Sequence, residues 1–208
     1  MTGARILSKR VVRDAVAHLR TADAVMCRLV ATHPLCSLAE REYWPFHTLA
    51  ASIISQQLSA KAADTIERRV AELAPIPFQA KSFLVVPVEA LRVAGLSQAK
   101  ARYIRELAER VCDGRLNLNA LPEIDDEKAV EILCELPGIG RWTAEMFLIF
   151  GLKRPNILSV GDAGLQRAVR LLYGGKSKAE ALLERVAGPW SPYRSVASWY
   201  LWRHLDGS

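Results

Sequence analysis

Apolar positions recur every three to four residues along almost the whole chain, as in helices that each bury one face. Near the start, Val12, Val16 and Leu19 form such a stripe, with Arg5, Lys9, Arg10, Arg13 and Arg20 around it. Residues 40–55 hold Pro45 near a helix start and then Phe46, Leu49, Ile53 and Ile54 on one face. Ser59 is placed to cap the next helix, whose stripe is Ala63, Ile66, Val70 and Leu73 and whose stop is Pro75 and Pro77. Ser97 is placed to cap another, with Tyr103, Leu107 and Val111 facing inward. The pattern predicts a short helix over 125–136, stopped by Pro137. A further helix starts near Arg141 and is apolar on most sides over 142–152, so it should be buried. Helices are also expected over 163–173, over 177–187 with the capping box Ser177-x-x-Glu180, and over 193–204. Two-residue alternation is confined to 83–88, where Pro87 breaks it. The expected fold class is all-α.

Composition narrows the class without changing it. Hydrophobic residues make up 50% and charged residues 24%, as in ordinary globular proteins. The longest uninterrupted apolar run covers only 146–150, so no membrane span, and no membrane partner, is expected. The Arg-rich beginning imitates a transit peptide. Asp14 interrupts its positive face and serine is scarce, so a packed first helix is the expectation. Cys27, Cys36, Cys112 and Cys134 share no C-x-x-C spacing and are expected to be buried thiols. His18, His33, His47 and His204 show no ligand spacing, and no cofactor is expected. The net charge of +6 is carried by residues 1–104, with 14 Lys and Arg against 8 Asp and Glu; the remainder is balanced. A basic half suits a polyanion such as nucleic acid, or is a solvated basic surface.

The most informative stretch is Leu136-Pro137-Gly138-Ile139-Gly140-Arg141-Trp142-Thr143-Ala144. Two glycines around one apolar residue join one helix to the next by a tight turn. The amides that follow Pro137 then point outward at a positive helix end, a nest suited to one phosphate that reads no base. A compact helix–helix turn without a ligand has the same spacing. Downstream, Leu158-Ser159-Val160-Gly161-Asp162-Ala163-Gly164 puts Asp162 just before a helix, where an N-cap is the local reading. A carboxylate there meets the positive end of the helix dipole.

Taken together, these residues resemble the helix-hairpin-helix base-excision DNA glycosylase superfamily, in which an aspartate follows the hairpin by about twenty residues. Trp142 stands where bifunctional members, such as endonuclease III and 8-oxoguanine glycosylase, carry a Schiff-base lysine. The four-cysteine iron–sulfur pattern of the endonuclease III branch is missing. The hairpin is similar to that of the alkylpurine, 3-methyladenine DNA glycosylase II type. Ile53-Ile54-Ser55-Gln56-Gln57-Leu58-Ser59, Gly95-Leu96-Ser97-x-x-Lys100, Tyr193-Arg194-Ser195 and Trp202 extend the likeness over roughly residues 44–204. The mixed α/β N-terminal domain of its longer members is not expected.

The resemblance implies a two-lobed helical glycosylase fold with its cleft between the lobes. The chain would be one domain over 1–208, with a core lobe near 40–120, a hairpin-containing lobe near 121–175, and terminal helices completing it. The implied activity is monofunctional excision of 3-methyladenine, 7-methylguanine and similar bases from double-stranded DNA, without lyase activity. Asp162 would be catalytic; Trp142, Trp202 and Met146 would bind the base, or the tryptophans pack in the core or at a lobe interface. Gln56, Gln57, Leu58, Gly138, Ile139, Gly140 and Arg141 would meet DNA. Gln57 or Leu58 would fill the gap left by the flipped nucleotide, unless Gln56 and Gln57 are only a polar helix end. Lys100, Arg102 and Arg141 would neutralise phosphates, or each lies on a solvated helix face. Met146 and Ala163 replace two pocket tyrosines, so the pocket should be roomier unless Tyr43, Trp44 or Trp199 compensates. Carbonyls of Leu136 and Ile139 resemble a monovalent-cation site. The family is usually monomeric, and the implied location is the bacterial cytoplasm, with the nucleoid, or a nucleus. Two other readings remain, a non-catalytic helix-hairpin-helix DNA-binding protein and a glycosylase for other damaged or mismatched bases.

Overall fold

The structure, a computed structural model, describes residues 6–175 and 177–207 and contains no strand among them. Arg5 of the basic beginning lies outside the described residues. Twelve α-helices follow one another among the described residues: α1 (Lys9–Ala22), α2 (Ala24–Thr32), α3 (Pro45–Ser55), α4 (Ala60–Ala71), α5 (Ala80–Val85), α6 (Val88–Val93), α7 (Gln98–Cys112), α8 (Asp126–Cys134), α9 (Arg141–Phe150), α10 (Ala163–Tyr173), α11 (Ala179–Val186) and α12 (Arg194–Asp206). They divide into two compact units, one of residues 1–42 and 148–208 and one of 43–147; the division falls inside α9.

In the first unit α1 packs on α2, α12 packs on both, and α10 packs on α11 and α12. Val12, Ala15 and Leu19 are the buried face of α1, so the basic beginning is a packed helix from Lys9 onward. Asp23 ties the unit together. Its Oδ1 accepts the N–H groups of Val25 (2.7 Å) and Met26 (3.0 Å) and caps α2. Its Oδ2 accepts the Tyr173 hydroxyl (2.8 Å) and the indole of the buried Trp190 (3.2 Å).

In the second unit α3 packs on α4 and α7, and α5 and α6 pack on α7. Leu49, Ile53, Phe83, Leu91, Ile104 and Leu107 fill its core. Ser59 and Ser97 cap α4 and α7 as the sequence predicts, accepting from Ala62 and Lys100. The hairpin between α8 and α9 belongs to this unit, not to a lobe of its own over 121–175. Gln56 and Tyr103, from the α3 end and α7, both reach Gly138 and hold it there.

Local expectations fail where the capping chemistry decides. Residues 83–88 are the junction of α5 and α6, broken by Pro87, with Arg105 capping the carbonyls of Leu84 and Val86. Helix α4 ends at Ala71, so Leu73 falls in a turn and is exposed. Helix α11 begins at Ala179 with Lys178 as its N-cap, leaving Ser177 one residue too early to cap. Of the four cysteines only Cys36 is buried, its thiol pushed up to about 12 by burial; Cys27, Cys112 and Cys134 are exposed.

Candidate active site and nucleic-acid interface

Asp162 is the N-cap of α10. Its Oδ1 accepts Leu165 N–H at 2.7 Å, and the Trp202 indole N–H donates to the same oxygen at 2.9 Å. The segment before it is pinned by its neighbours. Arg154 N–H donates to Leu148 O (2.9 Å), Ile157 N–H to Ser195 Oγ (2.9 Å), Asp162 N–H to Ser159 O (3.1 Å) and the Gln166 amide to Val160 O (2.8 Å). The carboxylate is therefore buried, at 7% exposure, with two donors and the positive end of α10 directed at it. Gly164 makes this possible. A Cβ there would lie 3.1 Å from Asp162 Oδ1 and 3.2 Å from Trp202 Cδ1, so a side chain would wedge the indole away from the acid.

Phe150 extends the aromatic surface: its ring centroid is 5.6 Å from that of Trp202, tilted by 30°, and the Arg41 guanidinium lies 5.2 Å over it. Neither Phe150 nor Arg41 was among the candidates from sequence. A signal for Phe150 existed, since it continues the i, i+4 series Trp142, Met146 on α9. Trp142 is 47% exposed, which removes the core-packing alternative for it, whereas Met146 is buried at 8%. Trp202 is half-buried and spends its N–H on Asp162, so it is not plain core either. Trp199 packs edge-on against Tyr200 at 5.0 Å. Tyr43 and Trp44 line a cavity of about 440 Å³ in the 43–147 unit together with Phe46 and Phe78, and the Tyr43 hydroxyl donates to Leu118 O (3.2 Å).

The hairpin shows why its two glycines differ. Gly138 has φ +80°, and a Cβ on it would be driven into the Tyr103 ring. Gly140 has open space where its Cβ would be, which leaves the backbone approachable. Ile139 is buried, and its N–H closes the turn onto Leu136 O at 3.1 Å. Its side chain is an anchor and its N–H is spent in the turn, so its carbonyl is the group left to meet a ligand.

Close by in the same unit, the α3–α4 turn carries Gln56, Gln57 and Leu58. Gln57 has φ +56°, a left-handed conformation that costs a non-glycine residue on the order of 1–2 kcal/mol. Gln57 and Leu58 are both exposed. Gln56 instead turns inward, its amide donating to Gly138 O (2.8 Å) and lying 3.4 Å from Thr143 Oγ1. Lys100 donates to Ile54 O (2.8 Å) and Gln56 O (2.5 Å), and burial holds its ammonium below the ordinary lysine range.

Two of the cations expected to meet phosphate are thus engaged within the protein. Lys100 is on carbonyls. Arg141 is held bidentately by Glu127 (2.6 and 2.9 Å) and by Glu145 (2.9 Å). The hydrogen bond to Glu127 raises the guanidinium above its usual range and draws the Glu127 carboxyl below its own. Arg102 is exposed on α7. Among the described residues no group of three or more His, Cys, Asp and Glu is placed to hold a metal ion.

Residues 50–192 match the model of the HhH-GPD superfamily base excision DNA repair protein family. The Bacillus subtilis protein YfjP, named provisionally as a DNA-3-methyladenine glycosylase, is 31% identical over 176 residues, which are 79% of this chain and 60% of that protein's length. The structure superposes on the DNA-3-methyladenine glycosidase of Bacillus halodurans with TM-score 0.81 and 38% identity, covering 96% of this chain and 91% of that one. It superposes on the Schizosaccharomyces pombe 3-methyladenine DNA glycosylase, solved with abasic DNA, with TM-score 0.78 and 28% identity, covering 93% and 97%.

Proposed function

Because the chain belongs to the HhH-GPD superfamily of base excision DNA repair proteins, we propose that it is a monofunctional DNA glycosylase. It removes alkylated purines from double-stranded DNA by flipping the nucleotide and hydrolysing its N-glycosidic bond. The observation that carries this reading is the Asp162 carboxylate, oriented by Leu165 N–H and the Trp202 indole on an aromatic surface.

Alkylation of a ring nitrogen puts a positive charge on the purine, so the glycosidic bond is already weak and the base leaves neutral with the bonding electron pair. What the protein must supply is extraction of the nucleotide and stabilisation of the sugar cation. Asp162 supplies the negative charge beside the developing oxocarbenium ion, and water completes the displacement at the sugar carbon. The indole faces of Trp142 and Trp202 suit a cationic base, at about 0.5–2 kcal/mol per contact, and Met146 adds a polarizable apolar contact. With Trp142 where a lysine would stand, no imine to the sugar forms and no lyase step follows.

On the 43–147 unit, the hairpin from Gly138 to Arg141 holds a phosphate through its backbone N–H groups other than that of Ile139, which closes the turn, while Gln57, flanked by Leu58, enters the gap left by the flipped nucleotide. The carbonyls of Leu136 and Ile139 are hard oxygen donors of the kind a monovalent cation takes. Leu136 O retains one lone pair beyond its bond from Ile139 N–H, so the pair fits such an ion. The protein acts as a monomer wherever the DNA is, in a bacterial cytoplasm or a nucleus.

The test is incubation with methylated duplex DNA and identification of the released bases. Release of 3-methyladenine and 7-methylguanine with intact strands is expected. We expect excision to be confined to cationic, labile lesions: absence of any released base overturns the reading, and strong release of neutral hypoxanthine overturns that confinement.

A further inference from the structure

Two side chains on the 43–147 unit have hydrogen-bond partners that serve neither DNA nor the core. Gln56 reaches from the end of α3 across to the hairpin carbonyl of Gly138. Lys100 reaches from the first turn of α7 to the carbonyls of Ile54, in the last turn of α3, and of Gln56, its C-cap. Between them stands Gln57, exposed and left-handed. Behind this turn lies a recess of about 240 Å³ bordered by Ile54, Leu58, Gly95, Ser97 and Lys100. Gln57 itself borders this recess, so on that side the turn is fixed by the hydrogen bonds of Gln56 and Lys100 and not by packing. A cationic donor on α3's final carbonyls is well suited to this, because those carbonyls have no partner further along the helix and carry its negative end.

We propose that Gln56 and Lys100 are positioning residues: Lys100 props the Gln57 turn outward and Gln56 bolts it to the phosphate-gripping hairpin, so that insertion into the duplex and grip on the backbone act as one rigid body. This assigns Gln56 a strut's role instead of a DNA contact and removes Lys100 from the phosphate contacts. It rests on the glycosylase reading and on Gln57 as the inserted residue.

The test uses the full chain with single-turnover release from a duplex carrying one alkylated purine, and from the same strand with the lesion opposite a one-nucleotide gap, where little insertion is needed. Gln56→Met keeps the length of the side chain and removes the donor. It is expected to slow release from the intact duplex about tenfold, and release opposite the gap less than about twofold. Gln57→Ala is expected to slow the duplex reaction similarly, and the double variant to be no slower than the slower single one, because the strut acts only through the inserted side chain.

Lys100→Met is expected to slow duplex release while leaving the slope of affinity against salt unchanged, and Lys100→Arg to restore most of the rate. Multiplicative effects in the double variant, an equal deficit opposite the gap, or a salt slope reduced by about 0.9 in Lys100→Met would each overturn the proposal. If the unaltered protein releases no base from either substrate, the glycosylase reading itself fails. If it releases base and Gln56→Met matches it on the duplex, only the strut fails.

Discussion

The loop that carries Asp162 and the shorter turn that carries Gln57 both end at a helix start, yet they immobilise their polar side chains in opposite ways. Asp162 is held through its own carboxylate, by a backbone amide and an indole, and is nearly buried. Gln57 is exposed, and the backbone around it is held by its neighbours, Lys100 on the carbonyls before it and Gln56 on the hairpin. The difference fits what each would do under the proposed function. A charge that stabilises a cation gains from low dielectric and fixed geometry, so donors orient the reacting group directly. A side chain that enters DNA must keep its surface available, so order is imposed on the backbone around it.

The comparison breaks most sharply at Asp162. Asparagine is also a good N-cap, so Asp162→Asn should fold normally and bind an abasic analogue, while base release falls by about 10²–10³-fold or more. Unchanged release would remove Asp162 from the chemistry. The turn side breaks next at Gly138. Gly138→Ala meets both a positive φ and the Tyr103 ring, so urea denaturation should show a loss on the order of 2–4 kcal/mol. Gly140→Ala, with open space around it, should stay within about 0.5 kcal/mol of the parent in stability and weaken DNA binding instead.

Gly164→Ala sharpens the comparison from the chemical side. Its Cβ should push Trp202 off Asp162 and slow release by about three- to tenfold, with an altered tryptophan fluorescence spectrum as the direct readout. The smallest effect concerns the hairpin's outer ion pair. Arg141 lowers the Glu127 carboxyl from its ordinary 4.5, so the pair contributes above that pH and its contribution is lost as pH falls through the lowered value. Glu127→Gln should therefore lower the melting temperature slightly at neutral pH, with the difference vanishing in acid; a constant difference down to low pH would exclude the ion pair as its cause.

Much of this was legible in local chemistry. Most residues expected to start a helix do so in the structure: Pro45 opens α3, Ser59 and Ser97 cap α4 and α7, and Asp162 caps α10. The failures were also local, at α5 and α6, where two six-residue helices are too short to display a period, and at Ser177, where a cap-like triplet lies one residue off.

The period of apolar residues by itself determined an all-helical protein, and the hairpin residues with Asp162 determined its family and a carboxylate at the start of α10, because helix periodicity, turns and caps are properties of neighbours in the chain. Only the tertiary structure decided that Trp202 donates to Asp162, that Arg141 and Lys100 are engaged inside the protein, and that Gln56 spans 82 positions of sequence to reach Gly138. Hydrogen bonds between distant segments leave no periodic trace, since their partners meet only after the helices have packed.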